Sequence, residues 1–135
     1  MSQAGSSAAG GLGGPPVADD EDLYRCISPE WWIDEEKRVS SAAFTFPRFS
    51  VDVASLAGSP QATLSRFRQG SGIAAFLCRE ARALGCDVRL EIDPAHPENK
   101  AHAHVSMPQT SGKRKAAARR LAAMCRVLIE PTFGH

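Results

Sequence analysis

Three histidines lie close together in the sequence and are the first candidates for chemistry. His102 and His104 are two residues apart, and His96 precedes them. If residues 102–106 form a strand, both later side chains point to one face, because side chains alternate along a strand. His102 and His104 could then supply two ligands to a zinc ion, which needs a third and usually a fourth. An ordinary surface or packing role is the expected alternative, and we predict no other cofactor.

Hydroxyl groups and one carboxylate form a second candidate group. Ser40 and Ser41 precede an apolar stretch, and Asp52 stands in a β-prone segment. A serine nucleophile needs a base and an oxyanion hole, and the G-x-S-x-G motif is absent. His102 could act as the general acid or base. The candidate catalytic residues are therefore His102, Ser41 and Asp52. They would serve a small enzyme on a nucleotide-like ligand, with Ser40, Ser41 or Arg25 holding its anion.

Cations crowd the start of the last predicted helix, which spans residues 113–128. Lys113, Arg114 and Lys115 open it, and Arg119 follows one turn later. Cations at a helix N-terminus oppose the helix dipole, whereas a bound anion would be stabilised by the dipole and the free N–H groups. The pattern therefore predicts an alternative function, in which these four residues bind nucleic acid or a phosphate ligand.

The charges of the chain are unevenly distributed, and both tryptophans lie in its acidic part. Residues 1–36 carry eight acids and one base (−7), and residues 37–135 carry fifteen bases and seven acids (+8), which gives the net charge of +1. Trp31 and Trp32 are candidate partner-binding residues, because tryptophan often anchors protein interfaces, and one of the two is expected in the core. The leading expectation is a small protein-binding or accessory module without catalytic activity.

Length and composition exclude several classes of protein. A chain of 135 residues is long enough for one domain. No run approaches the roughly 20 apolar residues of a membrane span, and the N-terminus lacks the features of a secretory signal. The cysteines show neither C-x-x-C nor zinc-finger spacing, and without an export signal we expect reduced thiols in a cytoplasmic protein. They are Cys26, Cys78, Cys86 and Cys125.

The elements that would position these residues predict a small α+β domain with a disordered tail. Residues 1–18 are rich in Gly, Ser, Ala and Pro and are expected to be disordered. Residues 19–131 are expected to form the domain, with a short mixed or antiparallel sheet and two or three helices. Residues 132–135 are expected to form a short C-terminal tail. The sequence predicts strands at 23–27, 40–46, 50–53, 86–92 and 102–107, a turn at Pro29, and helices at 60–68, 72–84 and 113–128. A buried strand remains the alternative at 72–78.

Two resemblances accompany this pattern. The segment from Gly112 to Leu128 resembles the second helix of double-stranded-RNA-binding domains, although two strands rather than three precede it. Over residues 22–131 the chain also resembles a set of short, uncharacterised bacterial proteins with no established activity. Lys100 departs from their Asn-Pro-Ala-His-Ala pattern. The segments that carry this resemblance are Leu23-Tyr24-Arg25, Trp32, Ser40-Ser41-Ala42-Ala43-Phe44, Ser50-Val51-Asp52, Gly72-Ile73-Ala74-Ala75, Arg82-x-Leu84-Gly85 and Asn99-x-Ala101-His102-Ala103-His104. It points to Ser40, Ser41, Asp52, Asn99 and His102.

Overall fold

A computed structural model describes residues 14–132 of the chain. It contains eight strands, four α-helices and two short 3-10 turns at Pro29–Trp31 and Ser41–Ala43. The strands are β1 (Asp22–Ile27), β2 (Trp32–Ile33), β3 (Arg38–Val39), β4 (Arg48–Val53), β5 (Gly72–Leu77), β6 (Asp87–Leu90), β7 (His102–Ser106) and β8 (Arg126–Ile129). The helices are α1 (Ala54–Ala57), α2 (Pro60–Leu64), α3 (Cys78–Ala83) and α4 (Ser111–Met124).

Six of these strands form one antiparallel sheet. Their order across the sheet is β6-β7-β4-β1-β5-β8, and β2 pairs with β3 in a separate hairpin. The predicted α+β class with a short sheet is therefore confirmed, with an antiparallel sheet and one helix more than expected. Within residues 14–132, no helix has the length and apolarity that crossing a membrane requires.

The two faces of the sheet differ in what they carry. One face contributes Leu23, Val51 and Phe76 to the hydrophobic core, where they join Ala118 and Leu121 of α4. Because side chains alternate along a strand, the residues between them face the other way. This second face carries polar side chains, and the candidate site lies there.

The segment 72–84 corrects the prediction of one helix. Residues 72–77 form β5, a central strand between β1 and β8, and α3 begins at Cys78. Ile73 and Phe76 are both fully buried. Their burial is explained because β5 has a neighbouring strand on each side and is covered on both faces. A short apolar run has no period that distinguishes such a strand from a helix.

Other element boundaries also differ from the predictions. Helix α4 ends at Met124, and Leu128 lies in β8 with 42% of its surface exposed, so it does not extend the apolar stripe of the helix. The predicted strand 40–46 contains a 3-10 turn, because Ser40 Oγ accepts a hydrogen bond from the N–H of Ala42 and caps it. Helix α2 ends at Leu64 rather than at residue 68.

Both ends of the folded part extend further than expected. Residues 14–18 were expected in the tail, yet the N–H groups of Gly14 and Val17 donate to the carbonyls of Leu90 and Val88 at 2.7 and 3.0 Å. Val17 is buried, so this segment runs along β6 as part of the fold. The N–H of Thr132 likewise donates to the carbonyl of Gly70 at 2.8 Å. Residues 1–13 and 133–135, the rest of both predicted tails, lie outside the described residues.

Candidate functional site

Three polar side chains stand in a row across the second face of the sheet. Tyr24 of β1 is in register with Asp52 of β4, and Asp52 is in register with His102 of β7. The N–H of Val53 donates to the carbonyl of Ala101 at 2.8 Å. This bond makes Asp52 and His102 a non-hydrogen-bonded pair, whose Cβ atoms lie about 5 Å apart in such strands. The register therefore brings a carboxylate beside an imidazole.

Asp52 is buried, with 4% of its surface exposed, and receives three hydrogen bonds. Its Oδ2 accepts from Thr63 Oγ1 at 2.7 Å and from Arg66 Nη2, and its Oδ1 accepts from Asn99 Nδ2 at 3.0 Å. A buried carboxylate needs such donors to satisfy its oxygens. Asp52 thus links β4 to α2 and to the loop before β7, and fixes the side chains of Arg66 and Asn99.

His102 is also buried, and the hydrogen-bond partner of one ring nitrogen shows that this nitrogen is a donor. Its Nδ1 lies 2.5 Å from the main-chain carbonyl oxygen of Glu91. A carbonyl oxygen can only accept, so Nδ1 carries the proton in this contact. In the neutral ring, Nε2 is then the proton acceptor. The contact with Glu91 thus ties the ring of His102 to the end of β6.

A cavity of about 200 Å³ opens above this row. Two aromatic rings, a thiol and several hydrogen-bonding groups surround it. Burial raises the pKa of the Cys26 thiol, so the thiol stays protonated and is not an activated nucleophile. The lining residues are Tyr24, Cys26, Ser50, Val51, Asp52, Thr63, Arg66, Phe67, Asp93, His96, Asn99 and His102. The arrangement suits a small polar molecule beside an imidazole that can take its proton.

His104 shares a face with His102, as predicted, but has its own partners. The two ring centroids are 4.8 Å apart and the rings are nearly perpendicular. His104 Nδ1 lies 2.7 Å from Arg48 Nη2 and 2.9 Å from Glu91 Oε1. No group of three His, Cys, Asp or Glu side chains suited to a metal occurs within residues 14–132. The predicted His102–His104 zinc site therefore lacks its further ligands in this part of the chain.

Acidification should destabilise the fold through His104. Burial lowers the pKa of His104 below its usual 6.5, against the hydrogen bond to Glu91, which raises it. Below about pH 6.5 the unfolded chain therefore binds this proton more readily than the folded one, and stability falls as the pH drops. We expect the urea midpoint to fall between about pH 7.5 and 5, and to fall less in His104→Gln. If the urea midpoint of His104→Gln fell as much as that of the wild type over this pH range, the effect would be contradicted.

Ser40, Ser41 and Arg25 do not converge with His102. Ser40 and Ser41 lie at the 3-10 turn that packs against α4, outside the cavity lining. A catalytic arrangement of Ser41 with His102, which the sequence left open, is therefore not formed. Asp52 and His102, the other two candidate catalytic residues, do line one cavity.

Arg25 is buried among carbonyls and aromatic rings rather than exposed to an anion. Its Nε and Nη2 donate to the carbonyl of Ala43 at 3.1 and 2.9 Å, and its Nη1 donates to that of Ser50 at 3.2 Å. Its guanidinium carbon lies 4.7 Å from the Phe49 ring centre and 5.1 Å from that of Trp31. Burial lowers its pKa to about 10. Arg25 thus holds the 3-10 turn to the sheet.

The paired tryptophans differ in their availability to a partner. Trp32 is buried in the hydrophobic core with 5% exposure, and its Nε1 donates to Asp34 Oδ1 at 3.2 Å. Trp31 is half-buried and packs edge-to-face on Phe46, with ring centres 5.8 Å apart. Trp32 is therefore a core residue, which corrects its assignment to partner binding. Trp31 keeps a partly exposed surface.

The four candidate anion-binding residues of α4 divide into two kinds. Lys113, Lys115 and Arg119 are exposed. Arg114 is half-buried and donates to the carbonyls of Pro108 and Gln109, at 3.2 and 2.8 Å. Arg114 therefore anchors the turn before the helix, and its N–H groups donate to the main chain of that turn.

Several cavity residues were not among the predicted site residues. Tyr24, Thr63 and Arg66 carried no motif, although Thr63 and Arg66 are three residues apart. That spacing would place them on one face of a predicted helix. Asn99 was singled out by the resemblance and not by a chemical argument. The missing signal was the strand register, which brings these separate segments to one place.

The thiols should react slowly in the native protein. Burial raises the pKa of the half-buried Cys125 from its usual 9.0 to about 11. At about pH 8 its thiolate fraction is then roughly 100-fold lower than in the unfolded chain, and the thiolate is the reactive form. We expect iodoacetamide to alkylate Cys125 about 100-fold more slowly in the native protein than in urea. Equal rates, measured by mass spectrometry of the peptides, would contradict this.

Comparisons with known proteins give no relative. No protein-family model matches the chain, and no curated protein or solved structure is significantly similar to it. What the site does must therefore be inferred from its geometry.

Proposed function

We propose that this protein is a small enzyme that binds a small polar molecule in the cavity and uses His102 as its general base. The observation that carries the proposal is the adjacent pair of Asp52 and His102 at one cavity. The carbonyl of Glu91 fixes the proton on His102 Nδ1, which leaves Nε2 to accept a proton from a bound molecule.

Asp52 has a positioning role in this proposal. Three donors occupy its oxygens, so its carboxylate is engaged before any ligand arrives. It holds Arg66 and Asn99 at the cavity wall. Arg66 keeps further N–H groups beyond the bond to Asp52, and a guanidinium has five. The ligand would therefore meet oriented donors beside a base, at little cost in ordering side chains.

The size and lining of the cavity favour a small, hydroxylated ligand. About 200 Å³ is below the roughly 300 Å³ at which pockets for drug-sized ligands begin. Tyr24 and Phe67 offer aromatic surfaces, and Phe67 is 48% exposed. A sugar phosphate fits this volume, as does the ribose of a nucleotide whose base lies outside against the exposed Phe67, with a sugar hydroxyl near His102.

Ligand-observed NMR tests the proposal with four named compounds: ribose, ribose 5-phosphate, adenosine and AMP. We expect at least one to show saturation transfer from the wild-type protein. Ser50 lines the cavity, so Ser50→Leu should fill it and abolish the signal. Ser106→Leu, at an exposed position of β7 outside the cavity, is the matched control and should bind as the wild type does. No binding by any compound would contradict this ligand class, and undiminished binding by Ser50→Leu would contradict the site.

A further inference from the structure

The outward side of α4 carries a concentrated positive charge that the cavity does not use. Lys113, Lys115, Arg119 and Arg120 are all exposed, and we call them the basic face. We propose that the basic face binds the phosphate backbone of a nucleic-acid duplex. This inference is independent of the proposed enzymatic function, because it rests on a different element.

The charges of the basic face are uncompensated. Within residues 14–132, none of these four side chains has an acidic partner within the 4.0 Å of an ion pair. Most other surface cations of the same residues do have one. The paired ones are Lys37, Arg38, Arg48, Arg66, Arg68, Arg82, Arg89 and Arg126. The positive potential is therefore concentrated on one helix, where it can attract a polyanion.

The basic face is rigid and accessible to a polymer backbone. The opposite side of α4 is buried in the core, with the side chains of Ala117, Ala118, Leu121 and Ala122. At 1.5 Å per residue, Lys113 and Arg120 lie about 10 Å apart along the axis, which is about three phosphates of one strand at 3.4 Å each. The exposed positions between them include Ala116, whose small side chain lets a backbone approach.

The N-terminus of α4 adds to this attraction. Thr110, its N-cap, makes no side-chain cap bond, and its first turn contains no acid. By contrast, Ser59 caps α2 and Glu80 caps α3 through their side chains. Uncapped N–H groups and the helix dipole favour an anion at this end. Without an anion, the cations at Lys113 and Lys115 oppose the dipole and cost stability.

The residue types on the basic face favour a duplex backbone. Residues 111–123 contain no aromatic side chain, and single-strand binding proteins rely on aromatic stacking with bases. Lysine and arginine can contact backbone phosphates while the bases stay paired inside a duplex. Because α4 packs on the core side of the sheet, a duplex bound there would lie on the side opposite to His102.

Fluorescence anisotropy with a 24-base-pair RNA duplex, and with the DNA duplex of the same sequence, tests this proposal. Four phosphate contacts give a salt slope of about −3.6, so we expect binding about 150-fold weaker at 200 mM than at 50 mM KCl. The variant Lys113→Gln, Lys115→Gln, Arg119→Gln, Arg120→Gln should lose binding at both salt concentrations. Its thermal midpoint, followed by circular dichroism, should not fall, since Lys113 and Lys115 oppose the helix dipole and none of the four exposed side chains makes an ion pair, within the described part of the chain, that the substitutions would remove.

The matched control removes the same charge from paired, exposed cations. It is Lys37→Gln, Arg38→Gln, Arg68→Gln, Arg89→Gln. This control should keep the wild-type salt slope and bind within about fivefold of the wild type. Equal weakening of both variants would overturn the proposal, because net charge alone would then explain binding. Absence of duplex binding by the wild type, or binding to phosphatidylserine vesicles in place of both duplexes, would overturn it as well.

Discussion

Replacing Asp52 by alanine should lower the free energy of unfolding by about 3 kcal/mol. The substitution leaves Thr63 Oγ1 without its acceptor at a position where the residue is 2% exposed, and an unsatisfied buried polar group costs about 1–3 kcal/mol. The substitution also removes the carboxylate that pairs with Arg66. This loss costs less stability than breaking a fully buried ion pair, because the Arg66 side chain is partly exposed to water. Urea unfolding of the wild type and the variant measures the difference.

Asp93→Ala is the matched control for this prediction. Asp93 also lines the cavity, but its carboxylate accepts the nearby N–H of Ala95 at 2.9 Å on an exposed loop. We expect a loss of no more than about 1 kcal/mol, as for an exposed turn cap. If the two variants lost equal stability, the network around Asp52 would not hold α2 and the loop to the sheet.

Replacing His102 by glutamine should have the largest effect on turnover. Removal of a general base typically slows a reaction by about 10²–10⁴-fold. The main-chain pairing of β7 with β4 and β6 does not depend on the imidazole, so binding and folding should survive. We expect the Kd for the compound that binds the wild type to stay within about threefold while turnover, measured as product formation by NMR, falls by this factor.

His104→Gln separates this effect from a general disturbance of β7. Its ring touches that of His102 but lies outside the cavity lining. Turnover should stay within about threefold of the wild-type value, because no proton transfer passes through it. A His102→Gln protein as fast as the wild type would contradict a general base at this position. Equal losses in the two variants would assign the effect to the strand and not to the imidazole.

Residue types alone identified polar side chains that line the cavity, but not how the fold groups them. Asp52 and His102 were identified from residue type, and the strand alternation correctly placed His102 and His104 on one face. The prediction that Ser41 joins them was wrong, because Ser41 lies outside the cavity lining. Grouping depends on which strands become neighbours and in which register, and those pairings join residues about 50 positions apart. Local propensity carries no information about such long-range pairings.

The helices and strands divide in the same way: some follow from local sequence signals, and others depend on pairing with distant strands. The strand at 23–27, the proline turn at Pro29 and the amphipathic helix from residue 111 have local signals, namely alternation, capping and apolar period. The segment 72–77 became a strand because β1 and β8 pair with it on both sides. Residues 126–128 left the predicted helix for the same reason, since the open edge of β5 pairs with residues 126–129 as β8.

In the proposed function, Nε2 of His102 is the atom that accepts a proton from the bound molecule. Long-range ¹H–¹⁵N correlation spectra of the histidine rings test this claim directly, because each neutral tautomer has its own pattern of nitrogen shifts. The hydrogen bond from Nδ1 to the carbonyl of Glu91 predicts the Nδ1–H tautomer for His102 in the neutral state, with an Nε2 signal that shifts when a binding compound is added. A neutral His102 with its proton on Nε2, or an Nε2 signal that does not respond to a compound bound in the cavity, would contradict the account.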